Sequence, residues 1–208
     1  GIMIRIRIST QHTLPETTRA LSVAISALRS GLLVVIPTET FYGLAADAFN
    51  PRALARVFKA KGRERRKPLL VLIGKTSDVS RLASRVSPAA RRLMRAFWPR
   101  KTSSRGRSPR GKPRKASPRG KPGPLTIVLP AKRSLPRELT AGTGTVAIRL
   151  TSHPVARALA RAIGPITGTS ANRSGKSAQR TVAGVMRQLG TRREIALMRL
   201  RAPQRPTA

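Results

Sequence analysis

Leu32 to Ile36 is an unbroken apolar run, preceded by Gly31 and halted by Pro37. A run this short between such punctuation reads as a strand buried on both faces, so the fold must cover it on two sides. The flanking sequence supplies the cover. Leu21, Ala24, Ile25 and Leu28 recur at helical spacing, with Gly31 ending that helix. Asn50-Pro51 opens a second helix, Asn as cap and Pro at the first position, which turns Leu54, Val57 and Phe58 inward and stops at Gly62. Leu69 to Ile73 repeats the buried-strand pattern, and Leu125 to Leu129 and Val146 to Leu150 read as further strands. Residues 2 to 8 alternate with period two and predict a strand with one apolar face. Thr13 to Glu16 has capping-box spacing, and Ser87-Pro88 caps a helix carrying Leu93, Met94 and Phe97 towards Trp98. His153-Pro154 begins a helix ending near Gly164, and Thr181 to Leu189 is the last helix. Strands and helices alternate, so the fold class is α/β (α+β): a single domain over residues 1–190, with a twisted mixed β-sheet flanked by helices.

Residues 100–122 interrupt this pattern with ten Lys or Arg, no acidic residue and no aliphatic side chain larger than Ala. Ser108 to Pro113 recurs nine residues later as Ser117 to Pro122. Such a segment buries too little apolar area to offset its ordering entropy and is expected to be a disordered basic insertion. The tail, 191–208, adds five Arg without a clear hydrophobic period and is expected to be loosely ordered and basic.

With no cysteine in 208 residues, disulfides, thiolate catalysis and Cys-based metal sites are excluded. Only His12 and His153 are present, so neither a zinc site nor a His-activated nucleophile is expected, and no protein metal site is assigned. No apolar stretch is long enough to span a bilayer and no signal peptide is read, so a soluble cytoplasmic protein without membrane contact is expected. The 43 Lys and Arg against 7 acidic residues, a formal charge of +36, favour polyanionic partners such as RNA or a nucleotide.

Three segments carry candidate chemistry. Pro37 to Ala45 (Pro-Thr-Glu-Thr-Phe-Tyr-Gly-Leu-Ala) is a polar loop at the end of a buried strand, where open sheets bind ligands. The hydroxyls of Thr38, Thr40 and Tyr42 suit a small polar substrate, and equally an ordinary connection with a buried Tyr. Lys61-Gly62-Arg63, with Lys67 following, places cations at a helix C-terminus, where they serve the helix dipole or converge on a triphosphate. Thr167 to Ser177 ends in Gly175-Lys176-Ser177, but Ser170 stands where a P-loop needs its first glycine. Ser170 and Asn172 instead read as neutral hydrogen-bonding groups on the same side of an extended segment.

Together these segments resemble the YrdC-like L-threonylcarbamoyl-AMP synthase family, from about Leu14 to Leu189 with the insertion removed. Gly123-Pro124-Leu125-Thr126, Val146 to Arg149 and His153-Pro154 support the resemblance. It implies a YrdC-like domain with a concave basic ligand site. It also implies a cytoplasmic nucleotidyltransferase joining L-threonine, bicarbonate and ATP into threonylcarbamoyl-AMP and pyrophosphate, for tRNA modification. By resemblance, Thr38, Thr40, Tyr42, Arg149 and Ser170 hold L-threonine, while Lys61, Arg63, Lys67, Thr145 and Asn172 hold ATP. Lys61, Arg63, Ser170 and Asn172 form the catalytic set. Magnesium is expected on the ATP phosphates, with the tRNA threonylcarbamoyltransferase complex downstream.

Glu64 stands where the family usually carries Pro and is expected to compete for Arg63. The family's C-terminal strands are not recognisable after Thr191. The rival reading is therefore an RNA-binding protein of the same fold, inactive without those strands. A third reading, a carbamoyl-adenylate step in hydrogenase maturation, fits a much larger protein.

Overall fold

The computed structural model describes residues 5–9, 14–38, 41–98, 125–190 and 195–201. Thr40 and the whole basic insertion, 100–122, lie outside the described residues. In chain order the elements are β1 (Arg5–Ser9), α1 (Leu14–Arg29), β2 (Leu33–Pro37), β3 (Tyr42–Ala45) and α2 (Pro51–Lys61). There follow β4 (Leu70–Ile73), α3 (Val79–Leu82), α4 (Pro88–Phe97), β5 (Thr126–Pro130), α5 (Arg137–Thr140) and β6 (Thr145–Leu150). The last are α6 (Pro154–Ile163), β7 (Ile166–Thr167), β8 (Thr169–Ser170), α7 (Val182–Leu189) and β9 (Ile195–Arg201).

These strands form two mixed sheets rather than the single sheet expected. One has the order β1-β9-β2-β3-β8 and the other β5-β6-β4-β7. The chain passes between them at Gly168, the one residue between β7 and β8. A Cβ on Gly168 would lie 2.4 Å from Leu72 Cγ, so only glycine lets the crossover sit this close to β4. Because β7 is only two residues long, apolar periodicity gives no hint that the sheet divides there.

The expectation of a loosely ordered tail is corrected. β9 lies inside the first sheet, parallel to β1 on one side and to β2 on the other, with Leu197 level with both Arg5 and Val35. Ile195 and Ala196 are buried. A central strand satisfies its backbone on both edges, so a four-residue apolar run, 195–198, suffices despite the arginines that follow it.

β2 is buried along its whole length, as the apolar run requires. Val34 and Ile36 face a cluster with Ala24 and Leu28 of α1 and Leu159 of α6. Leu33 and Val35 face the larger cluster, which includes Leu54 and Phe58 of α2 and Ile148 of β6. In α2, the Asn50 side chain accepts bonds from the amides of Arg52 and Ala53 at 3.0 and 3.1 Å. Gly62 ends the helix in the left-handed region at φ 58°. In α4 the buried stripe is Ala90, Met94 and Trp98, spaced i, i+4, i+8. Leu93 and Phe97 are each 45% exposed because they fall on the neighbouring helical stripe. Among the described residues, no helix is long and apolar enough to cross a membrane.

Candidate functional site

The end of α2 delivers Lys61 inward. Its ammonium donates to the carbonyl of Ser170, to the carbonyl of Asn172 at 2.8 Å and to Asn172 Oδ1 at 3.3 Å. Three donors thus meet three oxygens in a side chain only 3% exposed. Burial, and secondarily the charge of Arg63, lowers the Lys61 pKa from 10.5 to about 8.

Asn172 is itself buried, and its amide nitrogen donates to the carbonyls of Arg173, at 3.0 Å, and Lys176. These bonds bend the chain after β8, so Asn172 turns inward while Ser170 stays exposed. The two therefore do not project side by side, as an extended segment would have it. Gly175-Lys176-Ser177 lies in a turn, with no helix until Val182, so the phosphate-loop geometry is absent. Ser170 pairs with Gly43 of β3, which lies against Ile36 of β2 and the Thr38 side chain. Thr38 donates from both its hydroxyl and its amide to the Phe41 carbonyl. Tyr42 is buried in the core, and its backbone bonds Gln179 and Ala171.

β6 supplies the other half of the site. Val146, Ile148 and Leu150 are buried, whereas Thr145, Ala147 and Arg149 are half-buried on the opposite face. Arg149 Nε donates to Thr126 Oγ1 at 2.9 Å, across the pair that the strand register makes level. This bond fixes the plane of the guanidinium. Thr126 was given no role from sequence. Its signal is its place in a strand, one residue before buried Ile127, on the face that Arg149 shares. Leu72 of β4 is level with Arg149 on the other side and lies beneath Gly168. Thr126, Arg149 and Leu72 thus form a row that leads through Gly168 to Ser170.

Arg63 Nη2 donates to the Pro68 carbonyl at 3.0 Å and Nε to that of Lys67 at 3.5 Å, and burial lowers its pKa. Leu70 is level with Ala147, so Pro68, two residues earlier, lies towards the Thr145 end of β6. Thr145 Oγ1 bonds Thr143 Oγ1 at 3.0 Å. Glu64 pairs with Lys67 at 3.3 Å rather than with Arg63, because the turn after Gly62 directs Arg63 back onto the 67–68 backbone. Lys61, Ser170 and Asn172 are in direct contact, Arg149 joins Thr126, and Lys67 stands outward at the rim. Among the described residues, no group of three or more His, Asp or Glu could hold a metal ion.

The Sua5_yciO_yrdC family model, described as telomere recombination, matches residues 26–104 and 111–206. The threonylcarbamoyl-AMP synthase of Thiobacillus denitrificans is 35% identical over 86% of this chain and 84% of its own length. That of Halorhodospira halophila is 34% identical over 93% of this chain and 91% of its own. The solved structure of P. abyssi Sua5 complexed with L-threonine superposes with a TM-score of 0.74 at 31% identity. That match covers 95% of this chain and 50% of the other, so the chain spans half the length of that protein.

Proposed function

The chain belongs to the Sua5/YrdC family, and on that premise we propose that it makes threonylcarbamoyl-AMP from L-threonine, bicarbonate and ATP. The carrying observation is the row from Arg149 through Gly168 to Ser170, with the Lys61 ammonium behind it. Arg149, its plane set by Thr126, is suited to grip the threonine carboxylate with two parallel bonds. The exposed Ser170 hydroxyl, with Thr38 and Thr40, would complete that pocket.

The chemistry needs no covalent nucleophile. The threonine amine and bicarbonate give a carbamate and water, and the carbamate oxygen attacks the α-phosphorus of ATP while the bond from that phosphorus to the bridging oxygen breaks and pyrophosphate leaves. Positioning and charge neutralisation carry such a step, and Lys61, Arg63 and Lys67 would supply cations for it. Magnesium would arrive on the phosphates, which fits a donor set of hydroxyls, amides and cations. The product would serve tRNA modification through a downstream transferase complex, with RNA drawn to the basic surface.

The rival reading, an inactive RNA-binding relative, rested on the loss of C-terminal strands. β9, second in the first sheet between β1 and β2, is a C-terminal strand in place and weighs against it. Pyrophosphate release that requires threonine, bicarbonate and ATP together tests the proposal. In Arg149→Lys the threonine requirement should rise about tenfold or more, with that for ATP little changed, since lysine keeps the charge and loses the fork. Release independent of threonine in the parent protein would refute the synthase reading.

A further inference from the structure

A large cleft lies away from this row, and none of the residues assigned above lines it. It measures about 850 Å³, within the range of small-molecule sites. It opens at the C-terminal ends of β4 and β6, the edge at which open α/β sheets bind ligands. Lys75 from the loop after β4, Arg91 and Arg95 one turn apart on α4, and Arg157 and Arg161 one turn apart on α6 surround it. No acidic residue lines it, and the two ion pairs among the described residues involve Glu64 and Asp78, neither of which reaches it.

Two of these cations are held in place. Arg157 and Arg161 donate through Nε to the same carbonyl, Gly74, at 3.4 and 3.3 Å. Burial, with the Arg161 charge adding to it, lowers the Arg157 pKa, so the pair carries an unfavourable interaction that an anion would relieve. The floor is different in character: Val86, Met94, Trp98 and Leu150 are apolar and buried or half-buried.

We propose that this cleft binds a small phosphate-bearing organic anion, the phosphate between the α4 and α6 arginines and the apolar part on Met94 and Leu150. Cations converging from three elements on one concavity suit a compact anion. An RNA strand would use aromatic platforms, and the aromatic residue here, Trp98, is only 3% exposed. The proposal stands independently of the synthase reading.

Isothermal titration with phenyl phosphate, the cleft variants locating the binding, tests it. Phenyl phosphate should bind the parent protein more tightly than inorganic phosphate, because only the former uses the apolar floor. Arg157→Gln/Arg161→Gln should weaken it about tenfold or more. Arg91→Glu/Arg95→Glu, on exposed positions of α4 where folding is not at stake, should do the same. Unchanged affinity in both double variants, or equal affinity for the two phosphates, would overturn the site. Displacement of phenyl phosphate by a short oligoribonucleotide at lower concentration than by unlabelled phenyl phosphate would overturn it in favour of a nucleic-acid surface.

Discussion

Replacing Lys61 with methionine isolates the ionisation of one buried amine while keeping an unbranched apolar stem. Burial and Arg63 lower the native pKa from 10.5 to about 8, whereas the unfolded chain titrates at its ordinary value. Below about 8 both states hold the proton, and the cost of a buried ammonium is fully present, about 3 kcal/mol at 1.36 kcal/mol per pH unit. Between about 8 and 10.5 the unfolded chain binds a proton that the native protein has released, so stability rises with pH. From about pH 7 to about pH 9.5 the linkage relation relieves about 2 kcal/mol of the cost.

Methionine carries no such dependence. It leaves the Ser170 and Asn172 oxygens without their donor, which enters as a roughly constant offset. The expected result is that wild type gains about 2 kcal/mol over Lys61→Met between those two pH values. Urea unfolding of both proteins across the range measures it, the other titrating groups cancelling in the difference. A difference that stays flat, or shrinks, would mean that the amine is hydrated and that the three-oxygen clamp is not its native environment.

Gly168→Ala should destabilise the protein by about 1–3 kcal/mol by urea unfolding, because the new methyl meets Leu72 at 2.4 Å. The strain falls beneath Arg149, so the threonine requirement should rise as well, whereas a purely remote effect would leave it unchanged. Excising 100–122 and joining Pro99 to Gly123 should leave the melting temperature within a few degrees, since Trp98 Nε1 already donates to the Leu125 carbonyl at 3.0 Å across the break. The same excision should make RNA binding weaker and less salt-dependent, and a collapse in melting temperature would refute it.

Elements whose signal is local were legible in the sequence. The Asn50 cap, the Gly62 stop, the Ser87 cap on α4 and the wholly buried β2 all follow from a residue and its immediate neighbours. What escaped depended on partners far along the chain. β9 is a strand because β1 and β2 offer it two edges, and nothing in Ile195–Arg201 announces that. The division into two sheets hangs on Gly168 and a two-residue β7. In the site, Lys61, Ser170 and Asn172 were marked by motif, and the structure gathers them. The motif gave no sign that the Lys61 donors are met by protein oxygens, since two of these are backbone carbonyls some 110 residues away, present at any sequence.

With 43 basic residues against 7 acidic ones, charge alone cannot mark a site in this protein. Burial discriminates better. An exposed cation keeps its hydration, whereas one drawn into the protein loses it and persists only where other groups offset the loss. Among the described residues, burial lowers the pKa of Lys61, Arg63 and Arg157. For Lys61 three oxygens face three donors, so the offset comes from the protein itself. Its ammonium thereby ties the end of α2 to Ser170 and Asn172. Arg63 is met by two carbonyls, which leaves a planar fork with further donors at the edge of the row. Arg157 makes one long bond to the Gly74 carbonyl, an acceptor it shares with Arg161, a second cation. The offset is least complete there, and an anion is the group that would complete it.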